Sequence, residues 1–149
     1  MPSNVPCYIC DKHRTGDGVI TGDELMVLAH VLPDAPGTDG RVYLGHLIVE
    51  PRRHVQGLAD LTPDEAAALG QWAVKGARAL QAEHVYSSVV GHQVDHLHLH
   101  LIPRYAGTPR EYWWPRLDEW PDAPVGGQPE VTRLVDDIRA RLDVERRGR

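Results

Sequence analysis

Residues 96–102 read "HLHLHLI", a strict alternation of histidine and leucine that closes on isoleucine. Successive side chains on a β-strand point to opposite faces. His96, His98 and His100 therefore share one face, and Leu97, Leu99 and Leu101 share the other. The leucine face belongs in a core. The histidine face must be polar, wet or filled by a ligand, because an imidazole buried without partners costs roughly 1–3 kcal/mol.

The rest of the chain predicts what this strand pairs with. "ELMVLAHVL" (Glu24–Leu32), "RVYLGHLIVE" (Arg41–Glu50) and "VYSSVV" (Val85–Val90) read as three more strands, rich in β-branched and aromatic residues. "PDAPGTDG" (Pro33–Gly40) is a loop punctuated by proline and glycine. Thr62 is a good N-cap, Pro63 suits the first helical position, and Glu65 completes a capping box. A helix follows with Leu69, Trp72, Ala73, Gly76 and Leu80 on one face. "PEVTRLVDDIRARL" is a second, amphipathic helix, with Val131, Leu134, Val135, Ile138 and Leu142 on its stripe. Strands, helix, strand pair, helix is an α+β order, with helices packed on an antiparallel sheet.

No regular element is expected in the first twenty residues, which are rich in turn formers, or in the proline- and tryptophan-rich stretch from Pro103 to Gly127. Residues 105–149 read as a wrapping extension plus the last helix. No repeat or linker divides residues 1–149, so they are read as one domain. A formal net charge of −5 offers no basic field to a nucleic-acid polymer or a membrane surface, so any phosphate site must be local. No apolar run approaches the roughly 20 residues of a membrane span. "MPSNVPCYIC" lacks the basic start and apolar stretch of a secretory signal. The expectation is a protein of the reducing cytoplasm, whose two cysteines are thiols or metal ligands.

Three chemistries can occupy the histidine face. One is a structural row of satisfied imidazoles. The second is a zinc ion held by all three, which geometry opposes: at ~3.3 Å per residue the outer two are anchored ~13 Å apart, whereas zinc–nitrogen bonds are about 2.0–2.1 Å. The third divides the labour. A neutral imidazole attacks phosphorus well and leaves well when the phosphoramidate is hydrolysed. A neighbouring imidazole can donate to the phosphoryl oxygens as charge develops.

"HLHLHLI" resembles the signature of the histidine triad (HIT) superfamily. "GHLIVEPRRH" (Gly45–His54) is similar to that family's strand ending in proline, basic residues and histidine. "CYIC" (Cys7–Cys10) and "IPRY" after the triad also fit, so the resemblance runs from Cys7 to Tyr105. It implies a HIT-like α+β fold, a homodimer, and cleavage of nucleotides at the α-phosphate through a nucleotidyl-histidine. His98 would be the nucleophile and His100 would bond the α-phosphate. In zinc-containing members the first histidine joins the cysteine pair and the histidine after the basic turn, which here are Cys7, Cys10, His54 and His96. Two thiolates and two imidazoles suit a closed, structural zinc site. A redox pair and two idle thiols are the competing readings of "CYIC".

The chain departs from the family in two places. The loop before the triad is short, with His92 where a glutamine and Gln93 where a hydroxyl residue is usual, and no counterpart to the asparagine of the preceding strand. Gln93 and His92 are expected to meet the substrate. The acidic residue that holds the ribose hydroxyls has His30 as its nearest position, either a ribose contact or a plain surface histidine. His46 reads as a packing residue, Trp113, Trp114 and Trp120 as packing or dimer contacts, and Arg104 as a phosphate contact or an ion pair. The expected activity is hydrolysis of nucleoside phosphoramidates or dinucleoside polyphosphates. The alternatives are nucleotidyl transfer to phosphate or a sugar phosphate, and a nucleotide-binding regulatory protein with little turnover.

Overall fold

A computed structural model describes residues 6–148. Met1–Val5 and Arg149 lie outside the described residues, and with them part of the stretch read above as no signal and both ends of the 1–149 unit. The elements run α1 (Tyr8–Thr15), β1 (Val19–Gly22), β2 (Met26–His30), β3 (Val42–Tyr43), β4 (Leu47–Pro51), α2 (Pro63–Ala79), β5 (His84–Ser88), β6 (Leu99–Arg104), β7 (Val125–Gly126) and α3 (Gln128–Arg147). Five strands form one sheet in the order β1-β2-β4-β6-β5, and its paired strands are antiparallel. The result is the expected α+β architecture. No helix among the described residues is long and apolar enough to cross a membrane.

The triad strand divides the sheet into two unlike faces. Leu97 and Leu101 are each 2% exposed. Leu101 joins Leu28, Leu47 and Val49 under Ala68, Leu69 and Trp72 of α2 and Val131, Val135 and Ile138 of α3. Helix α2 starts as expected. The Thr62 hydroxyl accepts from the Glu65 N–H at 3.1 Å, and the Glu65 carboxylate accepts from the Thr62 N–H at 2.9 Å. On the opposite face Val27, Ala29 and Ile48 form a smaller apolar patch. That patch continues across β6 into the histidines, because Ile48 pairs with His100.

Several elements differ from the sequence reading, among them β1, which begins inside the turn-rich first twenty residues, and β6, which is paired only from Leu99 to Arg104. Residues 8–15 are helical, not a turn. Cys7 is the N-cap, its Sγ accepting from the Cys10 N–H at 3.3 Å, and Gly16 closes the helix in the left-handed region at φ +80°. A cysteine cap carries none of the usual Ser, Thr, Asp or Asn signal. Arg41–Glu50 is not one strand. Gly45, at φ +95°, breaks it into β3 and β4. A Cβ there would run into the Tyr105 hydroxyl and lie 2.8 Å from the Pro103 ring. The wrapping segment also contains β7, which pairs with β3 in a separate two-stranded ribbon: Val42 with Gly126, Tyr43 with Val125.

Candidate active site and metal centre

The regular ladder of β6 begins only at Leu99, so His96 and His98 sit on its extended lead-in. The Leu97 N–H donates to the Val55 carbonyl at 2.7 Å, which draws this lead-in toward the turn after β4. His98 Nδ1 lies 2.6 Å from the His96 carbonyl. A carbonyl only accepts, so Nδ1 carries the proton and the lone pair of His98 is on Nε2. That residue lines a cavity of about 840 Å³ together with His100 and His46.

His100 stands beside the nucleophile candidate, ring centroids 4.9 Å apart. Its Nδ1 is 2.8 Å from His46 Nε2. Burial, then repulsion from His98, pushes His100 down to about 4. Burial, then repulsion from His100, pushes His46 down to about 3. Both rings are therefore neutral near pH 7, and one donates to the other. If His46 Nε2–H is the donor, His100 Nδ1 accepts and its own Nε2–H is free for an anion. His46 was read as packing. The register of Ile48 against His100 brings it to the triad, and that register is not written in the local sequence.

His92 and Gln93 both line the cavity. The Gln93 side chain lies over Gly37, 3.2 Å from where a Cβ would stand, so two loops meet there. His30 is neither a ribose contact nor a surface histidine. It is 0% exposed, its Nδ1–H donates to the Val31 carbonyl at 2.7 Å, and its Nε2 accepts the Gly45 N–H at 2.9 Å. With both nitrogens engaged in the core it has nothing to offer a ribose, and burial lowers it to about 4. It braces the Gly45 break instead. Arg104 lies away from the cavity: its guanidinium stacks 3.6 Å over Trp113 and donates to the Tyr86 hydroxyl at 2.8 Å.

Cys7, Cys10, His54 and His96 converge, with ligand atoms all within 4.8 Å of one another, and this group can bind a metal. Cys7 Sγ to His96 Nδ1, Cys10 Sγ to His96 Nδ1 and Cys10 Sγ to His54 Nδ1 are each 3.5 Å. Zinc–sulfur bonds of about 2.3 Å and zinc–nitrogen bonds of about 2.05 Å give a tetrahedral sulfur–nitrogen edge of ~3.6 Å. His96 Nε2–H donates to the Pro51 carbonyl at 2.7 Å, which leaves the lone pair of Nδ1 facing the thiols. A metal-bound histidine fixed by such an outer hydrogen bond is the usual arrangement. Burial, then the hydrogen bond with Cys7, pushes Cys10 up to about 11, and a bound cation reverses that preference. Helix α1 thus places both thiols, and the same His96 that faces them fixes His98 through its carbonyl.

The chain matches the family model described as "HIT domain" over residues 18–107. A bifunctional bis(5'-adenosyl)-triphosphatase/adenylylsulfatase of Arabidopsis thaliana is 32% identical over 107 residues, covering 66% of this chain and 57% of the relative. An AP-4-A phosphorylase of Mycobacterium tuberculosis is 29% identical over 111 residues, covering 68% and 52%. The chain spans about half the length of these curated relatives. The crystal structure of a zinc-bound histidine triad family protein from Mycobacterium smegmatis superposes with a TM-score of 0.64 at 25% identity, covering 93% of this chain and 96% of that one.

Proposed function

Because this chain belongs to the HIT-domain family, we propose that it is a nucleotide hydrolase acting at the α-phosphate of nucleoside phosphoramidates or dinucleoside polyphosphates. The observation that carries the reading is the His98 Nδ1 bond to the His96 carbonyl, which leaves Nε2 as the nucleophilic nitrogen of a residue lining a cavity large enough for a nucleotide. His98 Nε2 attacks the α-phosphorus as the bond to the leaving group breaks, and the leaving group takes a proton from solvent, which the attacking water of the second step gives back. His100, accepting from His46, donates its Nε2–H to a phosphoryl oxygen as charge develops. Water then attacks the phosphorus of nucleotidyl-His98. The phosphorus–nitrogen bond breaks, nucleoside monophosphate leaves, and neutral His98 is restored. Gln93 and His92 contribute polar contacts from the cavity lining.

We assign a structural zinc to Cys7, Cys10, His54 and His96. The four donors saturate a tetrahedron, so the ion's role is to hold α1 against the triad lead-in. Reduced thiols at such a site suit the cytoplasm. We also propose a symmetric homodimer. Strand β5 is an edge of the sheet, with Val89 and Val90 exposed just beyond it, and unpaired edges are templates for another strand.

The test offers the purified protein a panel of adenosine and guanosine phosphoramidates and dinucleoside polyphosphates, with and without inorganic phosphate as acceptor. Rapid quenching at a pH that preserves phosphoramidates, followed by peptide mass spectrometry, should find a nucleoside monophosphate on His98. The His98→Ala protein should fold, bind nucleotide and release no product. Near-normal turnover by that variant, or an adduct on His96, overturns the assignment. Nucleoside diphosphate formed only when phosphate is present would identify transfer. Saturable binding without product would identify a binding protein.

A further inference from the structure

The α1 wall of the cavity holds a group that the proposed chemistry does not use. Lys12 lines the cavity, yet its side chain is only 3% exposed. Its Nζ donates to Glu50 Oε2 at 2.9 Å, and Glu50 Oε1 accepts from His13 Nε2 at 3.2 Å. Glu50 is 0% exposed. Burial alone would raise its carboxyl, but the hydrogen bond from His13 and the charge of Lys12 hold it below the ordinary range. Both carboxylate oxygens are engaged, and Glu50 cannot reach a ligand.

Lys12 has more to give. An ammonium carries three N–H donors. Among the described residues Glu50 is the one acceptor hydrogen-bonded to Nζ, and the Tyr8 ring, also of the cavity wall, lies with its centroid 6.0 Å from Nζ, so the ammonium keeps donor capacity on the cavity side of Glu50. Buried donors without acceptors are costly and are normally matched. The neighbouring wall is Tyr8, Ile9, Val31 and Ile48, a surface suited to a flat ring and not to phosphate. Glu50 cancels the charge of Lys12, which makes it a fixed donor for a neutral acceptor more than an attractor of anions.

We propose that Lys12 reads the nucleobase, donating to a ring carbonyl and selecting 6-oxopurine nucleotides over 6-aminopurine ones. This rests on the reading of the cavity as a nucleotide site. A ring carbonyl oxygen accepts a spare N–H of the ammonium. An exocyclic amino group would set N–H against N–H, and both oxygens of Glu50 are occupied. A site built around such a hydrogen bond discriminates strongly against an analogue that lacks the partner, by about tenfold or more.

Calorimetric binding of nucleoside 5'-monophosphates to the wild-type protein tests this without turnover. Guanosine and inosine monophosphates should bind alike, and about tenfold or more tighter than adenosine monophosphate. Free guanosine and adenosine should keep the same ratio. In the double variant Lys12→Met, Glu50→Gln, which strands no buried charge, the ratio should fall toward one. Equal wild-type affinities for the inosine and adenosine monophosphates, which differ at the 6-position, overturn the proposal even if the double variant fails to fold. So does a variant that keeps the wild-type ratio. A variant that weakens every monophosphate equally but spares free guanosine would move Lys12 to the phosphate and overturn it too. A protein that shows the base preference but releases no product fails the hydrolase reading and not this one.

Discussion

Replacing His46 with phenylalanine tests whether the triad depends on a residue outside it. The 2.8 Å contact joins two neutral rings and shares one proton between His46 Nε2 and His100 Nδ1. In the proposed reaction His100 must donate from Nε2, so Nδ1 must accept and His46 must supply the proton. Phenylalanine fills the space with an apolar ring of similar shape and removes the donor. The half-buried Nδ1 lone pair is then unpaired, at a cost of roughly 1–3 kcal/mol, unless the proton moves from Nε2 to Nδ1. That tautomer has no donor for the phosphoryl oxygen. At about 1.4 kcal/mol per factor of ten, kcat should fall ~5- to 150-fold. KM should change little, because the lost interaction matters as charge develops. His46→Gln, whose amide can donate to Nδ1, should recover most of the rate. The assay is steady-state release of nucleoside monophosphate near pH 7, where both rings are neutral, with unfolding midpoints measured alongside. A His46→Phe enzyme within twofold of wild type, or a glutamine variant as slow as the phenylalanine one, would refute the reasoning.

Protein purified without added metal should contain about one zinc per chain. Cys10→Ala should lose it and unfold at markedly lower temperature, since metal binding contributes to folding; full folding with readily titrated thiols and no metal would remove the site. Stability should change little between pH ~7 and ~8 and fall between pH ~6.5 and ~5. His30 and His46 are lowered to about 4 and about 3, so the unfolded chain binds more protons there. Each contributes up to about 1.4 kcal/mol per pH unit, and equal urea midpoints at pH 7 and pH 5 would contradict it. Gly45→Ala should cost ~2–5 kcal/mol, from a side chain held at positive φ and from collision with Pro103 and Tyr105. Gly40→Ala, also at φ +95° but with nothing within 4 Å of its Cβ, should cost only the strain, and equal losses would show that packing at Gly45 is not the issue.

The parts of the molecule legible in sequence are those whose signal is local. Period-two alternation placed the leucines of residues 96–102 in the core, and Thr62, Pro63 and Glu65 marked the start of α2. The convergence of Cys7, Cys10, His54 and His96 followed from the family resemblance, and the structure brings their ligand atoms together. What escaped depends on long-range register or on burial. His46 meets His100 through the pairing of β4 with β6, and His30 is sealed by the break at Gly45. Lys12 carries no burial signal in its own stretch, and its buried partner is Glu50, 38 residues away. Helix α1 was hidden because a thiol caps it.

The two-stranded ribbon of β3 and β7 gives Val42, Tyr43 and Val125 to the lining of the cavity. The floor is the main sheet. Part of the mouth comes from the loop through Asp39 and Arg41 and from Asp118 and Val125, segments joined by the ribbon. Strand β7 lies beyond the stretch that matches the family. Asp118 and Val125 therefore reach the cavity from outside the matched stretch, where replacements can retune which molecules enter while the imidazole row keeps its scaffold. Within a lineage, divergence in selectivity should accumulate at these positions, and the sheet beneath them should drift far more slowly.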